Sequence, residues 1–540
     1  MTSIFARPNK FKGLSYGSVL SCEMGKLVPV YRQNVVPGDE FKVSADTFVR
    51  LSPMLAPIFG EINLWLHFFF VPNRTVWDNF EDFVTNGLEN GVSTAVHPYI
   101  TGKSYSDATD GAKWDIGSLA DYIGVPVKDA AGVDGTGTPD GSSVVNASGI
   151  LFDALPFRAY AKIWNDWYRN EFLQNEITFS KSDGADTTTN LELLNRSWKR
   201  DWYTSALPFT QLGSPVSLPL GTYAPVIADG TTNNKSAVPL TWNEANTTTQ
   251  VIPGASSLIG INAVTGQTIN TTNAATSANA VMAPRNLVAD LRNATAATVE
   301  DVRTAFQLQK IQVRRALSGN RYVEYIASAF GVRSPDARLQ RAEFLGGGRA
   351  PIMISEVLQT SAGTATSPQG NMAGHGVGAS RTFAFNKAFT EHGWIIGILS
   401  VMPKAYYSQG VPKDLMNKGT WLNYYQPELA HLGEQAIDNK EVVATATSGV
   451  WGYQPRYEEM RRRVSEVHGD FRTNLNYWTL AREFSTSSVP LNSEFVSCNP
   501  SKRIFAAGNQ AVRPVLIEMN FDVKAIRPLP RKGTPGLVDH

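Results

Sequence analysis

Cysteine is almost missing from this chain. Cys22 and Cys498 are the only two among 540 residues, so no disulfide framework exists and the fold must rest on packing. Charge is scarce as well. Asp, Glu, Lys and Arg make up 18% of the sequence and sum to a formal +1, which excludes a protein that coats nucleic acid over its whole surface and leaves room only for local contacts. No uninterrupted apolar run approaches the ~20 residues of a membrane span, and the opening MTSIFARPNKFKG has no signal-peptide core. A soluble protein made in a cytoplasm is expected.

Catalytic and metal motifs are missing too. The seven histidines, at 67, 97, 375, 392, 431, 468 and 540, include no pair at the i, i+4 spacing of a metalloprotease helix. There is no CxxC, no G-x-S-x-G, and no nucleophile with a placed base. Gly102-Lys103-Ser104 lacks the glycine a phosphate loop needs five positions upstream, where His97 stands. Gly346-Gly347-Gly348 is followed by Arg349 and Pro351 and reads as a tight turn. His67, inside an apolar strand, reads as a hydrogen-bonded core residue. Asp78, Glu81 and Asp82 read as the solvated side of a helix. No cofactor, metal or enzymatic activity is expected.

What the chain does hold is turn and strand chemistry: 44 glycines, 30 prolines and 10% aromatics. Residues 61–83, EINLWLHFFFVPNRTVWDNFEDF, begin as a strand with both faces apolar, stop at Pro72-Asn73, and continue at helical spacing through Val76, Trp77, Phe80 and Phe83. Before it, residues 29–51 read as two strands about the turn residues Pro37-Gly38-Asp39, in hairpin or bulge fashion. Residues 1–20, with Arg7, Lys10 and Lys12 and no acid, read as a basic arm. Residues 85–150, containing GVDGTGTPDGSS, read as a surface loop.

The clearest helix is FRAYAKIWNDWYRNEF, Phe157 to Phe172, with an aromatic face for the sheet. From Tyr203 to Pro284 only Asp229, Lys235 and Glu244 are charged; this 203–285 segment reads as a projecting insertion, with short β-branched runs at 250–252 and 257–261. Residues 290–331 read as a helical hairpin broken at Gly319. A strand is expected at Ile352 to Thr360, then a Gly- and Ser-rich loop to about Ser380. Trp394 to Met402 reads as a second buried strand, and Pro514 to Ala525 as a half-buried one. The densest basic run, Arg461-Arg462-Arg463, lies close to Tyr453, Arg456 and Tyr457; it suits phosphates and bases, or pairing with Glu458, Glu459 and Glu466.

PVYRQNVVPGDEFKV, EINLWLHFFFVPNRTVWDNF, FRAYAKIWNDWYRNEFL, AFQLQKIQVRRALSGNRYVEYIASAFGVRSPDARLQRAEFLGGG, FTEHGWIIGILSV, YYQPELAHLGEQAI and WGYQPRYEEMR together resemble the major capsid proteins of microviruses, most closely the gokushovirus branch. Ala342 stands where that pattern has proline. The resemblance implies a mainly β fold, an eight-stranded antiparallel jelly-roll β-sandwich with long inter-strand insertions containing a few helices. It implies pentamers assembling into an icosahedral shell of about 60 copies around a circular single-stranded DNA genome.

Partners implied in the same way are a small basic DNA-packaging protein, an internal scaffolding protein, a DNA pilot protein and a bacterial host receptor. The expected place is the virion, assembled in the host cytoplasm. Interior DNA contacts are assigned to Arg7, Lys10, Lys12, Arg461, Arg462, Arg463, Arg527, Arg531 and Lys532. Host contacts are assigned to Asp229, Asn234, Lys235, Asn246 and Asn270 on the 203–285 insertion, at the threefold axes. A carbohydrate-binding β-sandwich and a glycosidase remain as other classes; the second needs two placed carboxylates, which the sequence does not offer.

Overall fold

The structure, a computed structural model, describes residues 8–87, 92–104, 107–125, 148–216, 299–358, 372–484, 488–506 and 513–530, with the backbone of four short strands between 226 and 289. Eight long strands carry the fold: β1 (Tyr16–Cys22), β2 (Val28–Val35), β3 (Glu40–Leu51), β4 (Ile62–Pro72), β5 (Glu343–Leu358), β6 (Met372–Ala388), β7 (Gly393–Pro403) and β8 (Val515–Arg527). They hydrogen-bond antiparallel in the order β1-β8-β3-β6-β5-β4-β7-β2, with a short strand, Asn9–Phe11, also on β8.

The path folds over where the first half of β5 pairs with β4 and its second half with β6. Two four-stranded layers result, β1-β8-β3-β6 and β5-β4-β7-β2. This is the jelly roll the resemblance implies.

Side-chain alternation explains the layers. On β8, Val515, Ile517, Met519, Phe521 and Val523 are buried while Leu516, Glu518, Asn520 and Lys524 are exposed. β3 buries Phe41, Val43, Ala45 and Val49 in the same way. These meet Leu64, Leu66, Phe68 and Phe70 of β4 and Ile395, Leu399 and Val401 of β7 in one core between the layers. Tyr31 of β2 bridges it, 5.1 Å from Phe521 and 5.7 Å from Phe68, ring centre to ring centre. Each fully buried large side chain contributes roughly 1.5–3 kcal/mol.

β4 also buries its other face. Phe69 and Val71, with Ile396 and Ile398 of β7, join a second core under helix α1 (Leu155–Ile163), which contributes Leu155, Phe157, Tyr160 and Ile163. Pro156 sits in its first turn, where a missing N–H costs nothing. The helix then widens into a π-turn, Trp164–Tyr168, closed by the Arg169 N–H donating to the Trp164 carbonyl at 3.0 Å. A third cluster, around Trp202, Tyr203, Tyr407, Ile437, Trp451 and Phe495, is built from short strands, a helical turn and the loops between them.

Several expectations are corrected. Residues 9–11 and 16–22 of the expected arm are strands, because β8 offers them a free edge. The turn at Pro37-Gly38-Asp39 is not a hairpin; β2 pairs with β7 and β3 with β6 and β8, so the turn carries the chain from one layer to the other. Residues 372–380 are part of β6 and not a loop. Gly346-Gly347-Gly348 is no tight turn but part of the first half of β5, beside a register shift at Phe344/Gly346. Within 85–150, Trp114, Leu119 and Ile123 are buried in the second core.

The chain divides into two compact units, Met1–Thr210 with Arg315–His540, and Gln211–Arg314. In the second, Trp242–Glu244 pairs with Met282–Pro284 and Val226–Ala228 with Leu287–Ala289, and the Leu212 N–H donates to Gln312 O at 3.5 Å. The strands expected at 250–252 and 257–261 lie outside the described residues. Helices α2 (Val299–Ser318) and α3 (Tyr322–Phe330) form on either side of Gly319, whose φ of +106° suits only glycine.

Candidate nucleic-acid interface

The basic residues singled out in the sequence do not form one surface. Lys10 and Lys12 are exposed on and just after the Asn9–Phe11 strand, and Lys10 pairs in register with Ile526. Arg527, on the neighbouring strand, is committed to structure. Its Nε and Nη2 donate to the two oxygens of the fully buried Asp39 at 3.0 and 2.9 Å, a bidentate pair fastening β8 to the β2–β3 crossover.

Arg461-Arg462-Arg463 belong to the third cluster's lobe, past the opposite end of β7. Arg461 and Arg462 both reach Glu458 at 2.8 Å, and Arg463 lies 3.7 Å from Asp414. Glu458 is nearly buried, so one carboxylate faces two guanidinium groups and the run keeps excess positive charge on its exposed side. Arg7, Arg531 and Lys532, and the host-contact residues Asp229, Asn234, Lys235, Asn246 and Asn270, lie outside the described residues.

A stronger concentration of charge was not singled out in the sequence. The π-turn at the end of α1 directs Asp166, Trp167 and Tyr168, followed by Arg169, into a cleft of about 590 Å³. The segment 196–204 supplies Arg196, Trp198 and Arg200, the start of α3 supplies Arg321 and Glu324, and β5 supplies Phe344 with Arg341 just before it. Five arginines thus face two carboxylates, an excess of three in a chain whose total is +1. The signal was present as alternating basic and aromatic residues in Arg196-Ser-Trp-Lys-Arg-Asp-Trp202.

His67 lies at the cleft's inner wall, its Nδ1 2.8 Å from the Tyr168 hydroxyl and the two rings stacked. Burial, with the Arg196 charge added, lowers its pKa to about 4, so it is the neutral core histidine expected and no cation at pH 7. The Trp65 ring is flanked by Arg196 and Arg349, with Cζ atoms 4.6 and 5.4 Å from its centre. Arg341 covers Trp167 at 4.7 Å and donates to the Asp166 carbonyl at 2.6 Å. The cleft can hold a phosphate-sized anion beside a planar group.

Comparison with known proteins gives one consistent result. The family described as capsid protein (F protein) matches residues 5–537. The capsid protein VP1 of Bdellovibrio phage phiMH2K is 33% identical over 547 residues, covering 99% of this chain and 96% of the relative. The VP1 proteins of Chlamydia phage 1 and Spiroplasma virus 4 are each 30% identical, covering 97% of this chain and 94% of the relative.

Proposed function

Because the chain belongs to the phage F-protein capsid family, and is therefore the structural major capsid protein of a microvirus and a virion component, we propose that about 60 copies close into an icosahedral shell around a single-stranded DNA genome. The observation that carries this is the family match over nearly the whole chain together with its two-layer, eight-stranded sandwich. The family's role is structural.

In this reading Arg461, Arg462 and Arg463, with Lys10, Lys12 and the tail Arg531 and Lys532, supply inner-surface contacts to DNA, and a small basic packaging protein supplies the remaining charge that a chain of +1 lacks. Arg527 contributes less, being tied to Asp39. Scaffolding and pilot proteins assist assembly. The nearly uncharged 203–285 segment meets the bacterial receptor.

Electron microscopy and size-exclusion chromatography of the chain with and without its viral partner proteins are the test. Closed shells or pentamers are expected; a monomer under every condition would overturn the reading. Replacing Arg461, Arg462 and Arg463 together by Glu should lower the DNA content of assembled particles, and unchanged content would remove them from the interface. A chain shortened within 217–285 should assemble yet fail to adsorb to host cells.

A further inference from the structure

A guanidinium taken out of water needs an anion beside it, since lost hydration otherwise exceeds what packing returns. In the cleft beside the π-turn, Arg169, Arg321 and Arg341 have such partners, Glu176 at 2.8 Å, Glu324 at 3.8 Å and Asp336 at 3.7 Å. Arg196 has none among the described residues. Its Nη1 donates to the Ser400 hydroxyl at 2.9 Å. The acidic groups that act on it are the Tyr168 hydroxyl and the Cys498 thiol, both held protonated by burial. Lost solvent accordingly drives Arg196 below the usual guanidinium range.

Arg200, in the same cleft, is exposed and has neither ion pair nor hydrogen bond among the described residues. The carboxylates there are already engaged. Asp166 accepts from the Ala342 N–H at 2.9 Å and lies 3.4 Å from Lys162, while Glu324 is pushed up by burial and by Glu171. Among the rings, Phe344 is 44% exposed, with its centre 5.7 Å from that of Trp167.

We infer that this cleft is a phosphate site, in which Arg196 and Arg200 hold the phosphate of an unpaired nucleotide and the exposed Phe344 ring takes its base. Guanidinium forks suit phosphate oxygens, and an aromatic face accepts any base. The volume of about 590 Å³ falls in the range of small-ligand sites. The phosphate site itself stands apart from the shell reading; the nucleotide comes either from a packaged strand, which rests on that reading, or from the free pool.

The test uses the full chain before assembly, titrated calorimetrically with inorganic phosphate, dTMP and an eight-residue oligo-dT. Arg200→Ala should weaken the oligonucleotide roughly tenfold, and Arg196→Gln at least as much. Arg381→Ala, which removes another exposed charge, on β6 and 3.4 Å from Asp46, should change it less than about twofold. Phe344→Ala should cost the oligonucleotide and dTMP roughly fivefold or more and leave inorganic phosphate unchanged.

Thermal melting separates loss of binding from loss of fold, and Arg200→Ala alone suffices if Arg196→Gln is unstable. Binding of dTMP equal to that of the oligonucleotide assigns the site to free nucleotides; a much tighter oligonucleotide assigns it to a strand. No binding by the wild type, or an Arg200→Ala loss no larger than that of Arg381→Ala, overturns the proposal. Shell formation scored separately by microscopy tells failure of the capsid reading from failure of this one.

Discussion

At His67 burial and the facing Arg196 charge both disfavour the imidazolium, so the folded pKa falls to about 4 from the ordinary 6.5. Above 6.5 neither the folded nor the unfolded ring binds a proton. Between 6.5 and 4 the unfolded ring binds one and the folded ring does not, so stability falls with pH across that window, by at most about 3 kcal/mol. Melting temperature measured from pH 7 to 4 should decline, and in His67→Gln that part of the slope should flatten; an unchanged slope would place the dependence elsewhere. Arg158 shows the paired alternative. Both it and Asp186 have fully buried side chains, 2.7 Å apart, and the guanidinium also donates to the Val76 and Ser182 carbonyls. Burial raises the Asp186 carboxyl, and hydrogen bonds from Thr189 and Arg158 more than offset that, leaving it below the usual range. Fully buried Arg158 thus has its anion beside it, whereas half-buried Arg196 has none among the described residues.

Among elements, β5 explains three consecutive glycines. A Cβ on Gly347 would stand 2.1 Å from the Leu66 carbonyl oxygen of β4, a backbone atom that cannot yield without breaking the ladder. Gly347→Ala should cost roughly 3 kcal/mol or more and lower soluble yield, whereas Gly13→Ala, with nothing within 4 Å, should be near neutral in the same melting experiment. Where hydrophobic period and burial coincide, as in β4, β7, β8 and α1, the element could be read from its residues. β6 could not, because His375, Gly376, Gly378 and Ser380 give no apolar period; its strand is imposed by β3 and β5 on either side. The β2–β3 turn misled for another reason. Local turn chemistry is the same whether the chain doubles back or crosses to the other layer, and only the partners β7 and β8 decide. The cleft is not visible as one run because its arginines stand after the π-turn, before α3, before β5 and in the 196–204 segment, which are distant in sequence.

For the whole molecule, the sandwich places its outermost pairing between residues far apart. Val515 lies opposite Cys22 and Phe521 opposite Tyr16, while the other edge of β8 holds all of β3. Removing everything after residue 510 would leave β1 without its partner and β3 with a bare apolar edge, so that chain should aggregate and form no shells, as sedimentation would show. Ribosomes add roughly 5–20 residues each second, so about half a minute to two minutes separates the synthesis of Tyr16 from that of Phe521. Throughout that interval one sheet layer lacks the strand that joins β1 to β3. Until β8 is made, neither β1 nor the outer edge of β3 has the strand it pairs with, so the completed sandwich waits on residues 515–527.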